Sequence, residues 1–277
     1  MEIKLIATDL DGTFFAPDGT IPERNIRAFR ECADRGIITM FASGRAFEVQ
    51  AKIAEQAGLM PYLASANGAR IDKGPDGPCL SESIIDRNIA EKIYAILMEK
   101  GIYFMIYTRG KSFIANPKEM ERLGRHRHNI GTVMHAGHPY ETVCDEGRIM
   151  DEALNGAYKF VCFGDDYDGR FPGVEKALDG MGLSISSSWK DNLEIMSPGV
   201  DKESAVRFVA NLHGISMENV MTFGDNSNDL PMLRAAGWGV AMGNSEKCAL
   251  DAAKIVAPVC GEGGVGYILE KYVLNKG

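Results

Sequence analysis

Two acidic residues near the N-terminus follow a short apolar segment. Ile3 to Ala7 has the length and composition of a strand buried on both faces, and Asp9 and Asp11 come directly after it. Strand side chains alternate, so both carboxylates start on one face if the extended backbone continues. Like charges this close repel unless a cation separates them or one carboxyl keeps its proton. The alternative for this segment alone is an acidic turn, in which Gly12 redirects the chain.

Composition narrows the classes of protein to consider. The chain has 277 residues, of which 45% are hydrophobic and 25% charged, which fits one large globular domain or two medium ones. A net charge of −8 argues against a nucleic-acid binder. We find no apolar run near the ~18 residues that span a bilayer, and no signal-peptide pattern, so we expect a cytoplasmic protein. The cysteines are scattered and predict free thiols: Cys32, Cys79, Cys144, Cys162, Cys248 and Cys260.

Strand and helix patterns alternate at both ends of the chain, which predicts an α/β fold with parallel strands. Polar segments follow several predicted strands: Ser43-Gly44-Arg45, Asn67-Gly68, and Gly224 to Asp229. Lys202 lies near the start of a predicted helix. In such sheets, ligands bind at the carboxyl ends of the strands. These segments are therefore expected to converge on one site.

The middle of the chain has a different texture, with hairpin-like strands and irregular helices. We interpret residues 83–188 as an inserted second domain with α+β architecture. Residues 1–82 and 189–277 then form a discontinuous α/β core. This division assigns the strand Leu193–Met196 to the core, and Trp238–Met242 is predicted as its last strand.

The residues at the predicted strand ends suit phosphoryl transfer. A carboxylate can attack an anionic phosphate ester only if the charge repulsion is cancelled, and Mg²⁺ held by Asp9 and Asp225 would do this. Ser43 and Lys202 can hold the other phosphate oxygens. Asp9 would become phosphorylated, while Asp11 would protonate the leaving oxygen and later deprotonate water.

Four segments resemble, in order, the four motifs of the haloacid dehalogenase superfamily. They are Asp9-Leu10-Asp11-Gly12-Thr13, Ser43-Gly44-Arg45, Lys202, and Gly224-Asp225-Asn226-Ser227-Asn228-Asp229-Leu230-Pro231-Met232. The insert between the second and third motifs, and Asn67-Gly68-Ala69 before it, resemble the Cof-type subfamily with its α/β cap of the C2B type. The resemblance implies a Rossmann-like catalytic core formed by residues 1–82 and 189–277, with residues 83–188 as a cap that selects the substrate. It also implies Mg²⁺, an aspartyl-phosphate intermediate and phosphatase activity on small phosphorylated metabolites, often sugar phosphates.

The resemblance also implies a role for each matching residue. Asp9 would be the nucleophile and Asp11 the acid/base. The Asp9 carboxylate, the Asp11 backbone carbonyl and Asp225 would bind Mg²⁺. Phosphate contacts fall on Ser43, Gly44, Lys202 and Asn228, and supporting roles on Gly12, Arg45, Asn67 and Asp229. The sequence departs from the family pattern at Glu203, where many members have glycine, and at Phe14-Phe15, where aliphatic residues are more usual.

Other functions stay open at this stage. A phosphomutase or phosphotransferase would use the same residues but pass the phosphoryl group to a hydroxyl. A non-catalytic phosphometabolite-binding protein would have no need of Asp11. Partners other than a small phosphate ester are not indicated, and both a monomer and a homodimer are compatible with the sequence.

Two further polar segments lie in the insert. The first contains four histidines: His126, His128, His135 and His138. They could suggest a zinc site, but no cysteine or carboxylate completes a known spacing, so we interpret the segment as a polar cap surface. The second contains Asp165, Asp166 and Asp168. It lacks the series of ligands found in a calcium-binding loop, so a solvated turn is favoured.

Overall fold

The computed structural model describes residues 2–116, 141–164, 169–188 and 192–275. The chain divides into two compact units. The first contains the residues up to Arg45, Gln50–Ser81, and the chain from Asp201 onward. The second contains Ala46–Val49 and Glu82–Val200.

The strands are numbered in chain order. They are β1 (Leu5–Thr8), β2 (Ile38–Ala42), β3 (Tyr62–Ser65), β4 (Arg70–Asp72), β5 (Cys79–Glu82), β6 (Tyr103–Thr108), β7 (Lys111–Ala115), β8 (Glu141–Val143), β9 (Lys159–Phe163), β10 (Ser184–Ser186), β11 (Asn192–Met196), β12 (Val220–Gly224), β13 (Trp238–Ala241) and β14 (Ile255–Val256).

The longer helices are α1 (Glu23–Asp34), α2 (Phe47–Ala57), α3 (Arg87–Glu99), α4 (Phe171–Leu178), α5 (Lys202–Leu212), α6 (Leu230–Ala235), α7 (Lys247–Ala252) and α8 (Gly264–Tyr272). Short helical turns cover Leu10–Phe14, Ala66–Gly68, Met217–Asn219, Ser227–Asp229 and Cys260–Glu262, and three consecutive ones cover Glu146–Arg148, Ile149–Ala153 and Leu154–Gly156.

The described strands of the first sheet are arranged in the order β14-β13-β12-β1-β2-β3-β4-β5. The pairs from β14 to β3 are parallel, and β4 is antiparallel to β3. β1 lies between β12 and β2, with Thr8 opposite both Phe223 and Phe41. The predicted α/β class with a parallel core sheet is confirmed.

Apolar side chains cover both faces of this sheet. On one face, Met40 and Ala42 belong to a buried cluster that includes Val206 and Val209 of α5. On the other face, the Phe41 ring lies 5.6 Å from that of Phe29 in α1. Strands buried on both sides need such continuous apolar runs, which explains why the sequence pattern identified them.

The second unit is built on a separate sheet, in the order β10-β11-β9-β6-β7-β8. Its pairs are antiparallel except for β7 with β8. One face packs against helices through a buried cluster that includes Ile93, Leu97, Phe104 and Phe160. The α+β texture predicted for the insert is therefore present.

The predicted end of the insert at residue 188 was wrong. Leu193–Met196 lies in β11, which pairs with β9 and β10 in the second sheet, so the unit continues to Val200. A short apolar strand shows its conformation in the sequence but not which sheet it joins. The long segment of the second unit begins at Glu82, one residue before the predicted start of the insert at residue 83. The role of the insert as a cap that selects the substrate stays a prediction.

The C-terminal end of the first unit contains more structure than the sequence indicated. Trp238–Met242 was predicted as the last strand, but β13 ends at Ala241 and β14 follows it. β14 has two residues, too few for any periodicity to register.

Three further predictions concern the cysteines, membrane-spanning helices and the two polar segments of the insert. All six cysteines are free thiols, and Cys32, Cys162 and Cys260 are buried. None of the helices in the described residues combines the length and apolarity that crossing a membrane requires. The segments His126 to His138 and Asp165 to Asp168 lie outside the described residues.

The second unit contains a buried ion pair whose removal should be costly. Lys159 Nζ lies 2.8 Å from Glu194 Oε1, and the side chains are 1% and 4% exposed. Replacing Lys159 by Met is expected to lower the free energy of unfolding by about 3–5 kcal/mol, because the Glu194 carboxylate loses this buried cation. Urea unfolding would measure the loss. The double variant K159M/E194L should recover most of it, and equal instability of both variants would contradict this explanation.

Candidate active site

Three neighbouring parallel strands end at the same edge of the first sheet. Asp9 follows β1, Ser43 follows β2 and Asp225 follows β12. The Asp9 N–H donates to the Phe223 carbonyl at 3.0 Å, so the sheet pairing continues up to the first carboxylate. Strand order alone therefore brings together residues that are far apart in the sequence.

An acidic cluster lies at this edge, formed by Asp9, Asp225 and Asp229. One carboxylate oxygen from each lies within 4.8 Å of the others. Lys202 Nζ lies 2.8 Å from Asp9 Oδ1 and 2.6 Å from Asp229 Oδ1, and its side chain is 1% exposed. The cluster thus combines three carboxyl groups with the ammonium of Lys202 in a largely buried space.

The three carboxylates differ in the donors they receive. Asp229 accepts from Lys202 at Oδ1 and from the N–H groups of Asp225 and Asn226 at Oδ2, at 2.8 and 3.0 Å. Asp9 Oδ1 contacts Lys202, and Asp225 Oδ1 accepts from Thr13 Oγ1 at 2.8 Å. Within the described chain, no hydrogen-bond donor contacts Oδ2 of Asp9 or Asp225. Asp229 is therefore a positioning group, and the other two can bind a cation.

The electrostatics of the cluster reflect its excess negative charge. Burial raises the pKa of Asp9 although Lys202 opposes the shift. Burial and the Asp229 carboxylate raise the pKa of Asp225 to about 7. Burial lowers the pKa of Lys202, but Asp229 and Asp9 more than reverse this, so the net shift is upward. A divalent cation would relieve this repulsion.

Gly12 provides the space beside the Asp225 carboxylate. Its φ is +73°, and a Cβ there would lie 2.3 Å from Asp225 Oδ2. Glycine is required for both reasons, since a side chain would be strained and would displace the carboxylate.

Replacing Gly12 by Ala should therefore impair cation binding more than folding. We expect the Mg²⁺ concentration for half-maximal activity to rise by about tenfold or more, because the Asp225 carboxylate must move. Gly19→Ala is the matched control, since Gly19 has a φ of +82° and a Cβ there would meet no atom of the described residues within 4 Å. Equal effects of the two substitutions would show that backbone strain, not crowding of Asp225, is responsible.

Asp11 is held by Arg45. Arg45 Nε donates to Asp11 Oδ2 at 2.7 Å and its terminal nitrogen donates to Oδ1 at 2.6 Å, while the Asp11 side chain is 58% exposed. The guanidinium also lies 5.4 Å from the centroid of the Phe15 ring, a cation–π distance. Phe15, which departs from the family pattern, thus supports the residue that holds Asp11.

The predicted phosphate-binding residues lie around the same edge. Ser43 is buried, and Gly44 is in the turn between Ser43 and Arg45 that follows β2. Asn67 has a φ of +59° and donates its N–H to the Ser43 carbonyl at 3.0 Å. Asn228 is 8% exposed, and its Oδ1 has no hydrogen-bond partner among the described residues. This acceptor needs a donor from outside the described residues, such as a water molecule, while the Asn228 amide N–H₂ group is the part that can donate to a phosphate oxygen.

The sequence did not single out two residues that shape the site. Thr13 orients Asp225, although it follows Gly12 directly in the first motif. Gln50 is fully buried, and its amide nitrogen donates to the carbonyls of Arg45 and Ala64 at 3.1 and 3.0 Å. No spacing rule indicates a helical Gln that joins the turn after β2 to strand β3, since this contact arises only in the folded chain.

The Glu203 departure leaves the start of α5 intact. The Asp201 side chain accepts from the Ser204 N–H at 2.7 Å, and the Asp201 N–H donates to Ser204 Oγ at 3.1 Å. This reciprocal capping defines the helix N-terminus. Glu203 accepts from Arg207 one turn later, at 2.7 Å. Lys202 is therefore fixed as the first helical residue, with its side chain directed at the acidic cluster.

Comparison with known proteins identifies the family. A model of the haloacid dehalogenase-like hydrolases matches residues 6–269. The chain belongs to this family. It is a phosphoric monoester hydrolase of the Cof type, as the motifs predicted.

Curated relatives of this haloacid dehalogenase-like hydrolase align over nearly its whole length. The 5-amino-6-(5-phospho-D-ribitylamino)uracil phosphatase YcsE of Bacillus subtilis is 27% identical over 277 residues, covering 99% of this chain and 97% of the relative. Phosphatase YwpJ of the same species is 28% identical over 286 residues, covering 97% and 99%. These alignments contain both units.

Solved structures show the same fold. A haloacid dehalogenase-like hydrolase from B. subtilis superposes with a TM-score of 0.85 at 27% identity, covering 98% of this chain and all of the other. The subclass IIB sugar phosphatase BT4131 gives a TM-score of 0.80 at 22% identity, covering 97% and 98%. At that identity the second comparison establishes the fold alone.

Proposed function

We propose that this protein is a Mg²⁺-dependent phosphatase of small phosphorylated metabolites that acts through an aspartyl-phosphate intermediate. The observation that carries the proposal is the buried cluster in which Asp9 and Asp225 each keep an oxygen free of donors from the described residues, while Lys202 and Asp229 hold the cluster together. The family membership supports phosphate ester hydrolysis.

The residues present fit a divalent cation. Asp9, Asp225 and the Asp11 backbone carbonyl would hold Mg²⁺, and the cluster has the surplus negative charge that such an ion neutralises. When bound, Mg²⁺ would offset negative charge on the phosphate oxygens. Lys202, which contacts Asp9, would offset further charge, and Ser43 and Asn228 would hold the phosphate by hydrogen bonds.

The first half of the reaction forms the intermediate. An oxygen of the Asp9 carboxylate forms a bond to phosphorus while the bond between phosphorus and the ester oxygen breaks. The departing oxygen takes the electron pair of that bond and a proton from the Asp11 carboxyl, so the alcohol leaves neutral. Because Arg45 occupies both Asp11 oxygens, at least one of these hydrogen bonds must open for this transfer.

The second half regenerates the enzyme. Asp11, now a carboxylate, accepts a proton from a water molecule whose oxygen bonds to phosphorus. The bond between phosphorus and Asp9 breaks, which releases inorganic phosphate and restores the Asp9 carboxylate. Asp11 thus ends in the protonated form in which it began, and the two half-reactions sum to hydrolysis of the ester.

Sugar and sugar-alcohol phosphates are the substrate class that we propose to test first. One curated relative is named for the phosphate ester of a ribitylamino group, which is a sugar-alcohol phosphate. We further propose that the second unit, which is inserted between the motif residues, selects among such leaving groups.

The test is a phosphate-release screen over sugar phosphates, nucleotides and cofactor phosphates. We expect turnover that EDTA abolishes and added Mg²⁺ restores. Mg²⁺ should also raise the unfolding midpoint of the substrate-free protein, because it binds the folded cluster and not the unfolded chain. The Asp225→Asn variant should show a much smaller rise in midpoint.

Other outcomes of the screen would overturn parts of the proposal. Isomerisation of a hexose phosphate without free phosphate would identify a phosphomutase. Tight binding of phosphate esters without turnover would identify a binding protein. Full activity in EDTA would contradict the role of Mg²⁺.

A further inference from the structure

The side chain of Asn244 joins two loops of the first unit. Asn244 lies just after β13, and its Nδ2 donates to the Gly12 carbonyl at 2.8 Å. Its Oδ1 accepts from the Cys260 N–H at 2.8 Å. Gly12 lies 232 residues away in sequence, so this contact depends entirely on the fold.

The carbonyl that Asn244 holds belongs to the peptide group between Gly12 and Thr13. Fixing that peptide fixes the position of Thr13, whose hydroxyl donates to Asp225 Oδ1 at 2.8 Å. Gly12 has a φ of +73°, a conformation that few residue types other than glycine adopt.

The same loop also contacts the backbone of Gly224 and Asp225. The Glu246 N–H donates to the Asp225 carbonyl at 2.9 Å, and the Met242 N–H donates to the Gly224 carbonyl at 3.2 Å. The loop that follows β13 therefore restrains both the turn at Gly12 and the backbone of Asp225. Asn244 provides the side-chain part of this restraint.

We propose that Asn244 is a positioning residue for the cation site, one that acts through Gly12 and Thr13 to keep the Asp225 carboxylate oriented. The inference rests on the proposed function, since it assigns Asn244 to the binding of the same Mg²⁺. Asn244 itself does not reach the carboxylates. It is exposed at the surface, so its replacement should leave the buried core of the unit unaffected.

Asn244→Asp is the sharpest substitution. The carboxylate keeps an acceptor for the Cys260 N–H, loses the donor to Gly12 and adds one negative charge, a change that the control below reproduces away from the site. Asn219→Asp is the matched control. Asn219 Nδ2 donates to the Glu2 carbonyl at 2.6 Å, also in an exposed hydrogen bond distant in sequence, but at the opposite end of β12 from Asp225.

The primary measurement is calorimetric titration of the substrate-free protein with MgCl₂. We expect Asn244→Asp to weaken Mg²⁺ binding by about 10- to 100-fold, the range found when partners of metal ligands are removed. The Mg²⁺ concentration for half-maximal activity should rise by the same factor. At saturating Mg²⁺ the KM for the phosphate ester should stay close to wild type, and Asn219→Asp should leave every value unchanged.

A second comparison tests the route of the effect. If Asn244 acts through Thr13, the double variant T13V/N244D should bind Mg²⁺ about as weakly as T13V, because the second change removes nothing further. Additive losses would contradict this route. Wild-type Mg²⁺ affinity in N244D would overturn the inference, as would equal weakening in N219D. If the wild-type protein binds no Mg²⁺, the proposed function fails as well, and the two failures are thereby distinguished.

Discussion

Replacing Asp9 by Asn is expected to lower kcat/KM for an aryl phosphate by about 10⁴-fold or more, the scale found when a nucleophile is removed from a set that acts together. The amide has nearly the size of the carboxylate, so the packing around β1 should persist. It cannot form the mixed anhydride with phosphate on which the proposed reaction depends. Steady-state kinetics and acid trapping of the phosphorylated protein would measure both effects.

Asp11→Asn provides the contrast for this experiment. It should lower turnover by about 10²–10⁴-fold, because proton transfer is lost. An aryl leaving group needs little protonation, so the D11N variant should still become phosphorylated and accumulate that form, whereas D9N should yield none. A D9N variant within tenfold of wild type, or one that can be trapped as a phosphoprotein, would exclude Asp9 as the nucleophile.

Replacing Lys202 by Met is the second substitution with a large expected effect. It removes the buried ammonium that contacts both Asp9 and Asp229. We expect activity to fall by about 10²–10³-fold, because charge developing on the phosphate loses a fixed partner. In EDTA the free energy of unfolding should fall by about 3–5 kcal/mol, the usual result of removing one member of a buried ion pair.

This loss of stability should depend on pH in a defined direction. The pKa values of Asp9 and Asp225 are already raised, so the folded state binds protons more readily than the unfolded chain. Ionisation of such groups with rising pH therefore lowers stability, and it should do so more when Lys202 is absent. Denaturant unfolding should show a larger loss at pH 8 than at pH 5.

Lys247→Met is the control for Lys202→Met. Lys247 forms a surface ion pair with Asp251 at 2.9 Å, and its side chain is 85% exposed. Such pairs contribute little, so neither activity nor stability should change measurably. If K202M also leaves stability unchanged in EDTA, the account of a cluster held together by this ammonium is wrong.

The sequence predicted the site best where a polar residue directly follows an apolar strand. Asp9, Ser43 and Asp225 each follow an apolar strand, and in a parallel sheet such strand ends meet at one edge. The identity of the residues, an aspartate pair, a hydroxyl and a lysine, then indicated phosphate chemistry. Their convergence follows from the order of the strands.

The features that the sequence did not reveal are contacts between distant segments. β11 shows a normal strand pattern, but its partners β9 and β10 depend on pairing that no local periodicity specifies. Arg45 donates to both Asp11 oxygens although the two residues are 34 positions apart in the sequence. This contact depends on how their side chains are oriented in the folded chain. Asn244 lies in the segment Gly243-Asn244-Ser245, whose residue types are common in turns. The local sequence therefore gives no sign that Asn244 contacts Gly12.

The central position of β1 has a consequence for how the chain folds. Its partner β2 is encoded close by, but its other partner, β12, begins more than 200 residues later, at Val220. During synthesis most of the second unit emerges from the ribosome as one continuous stretch before β12 is made, and domains generally fold as units. The sheet that brings Asp9 close to Asp225 cannot form until β12 has been made, so we expect a nascent chain to become catalytically active only after the second unit has emerged.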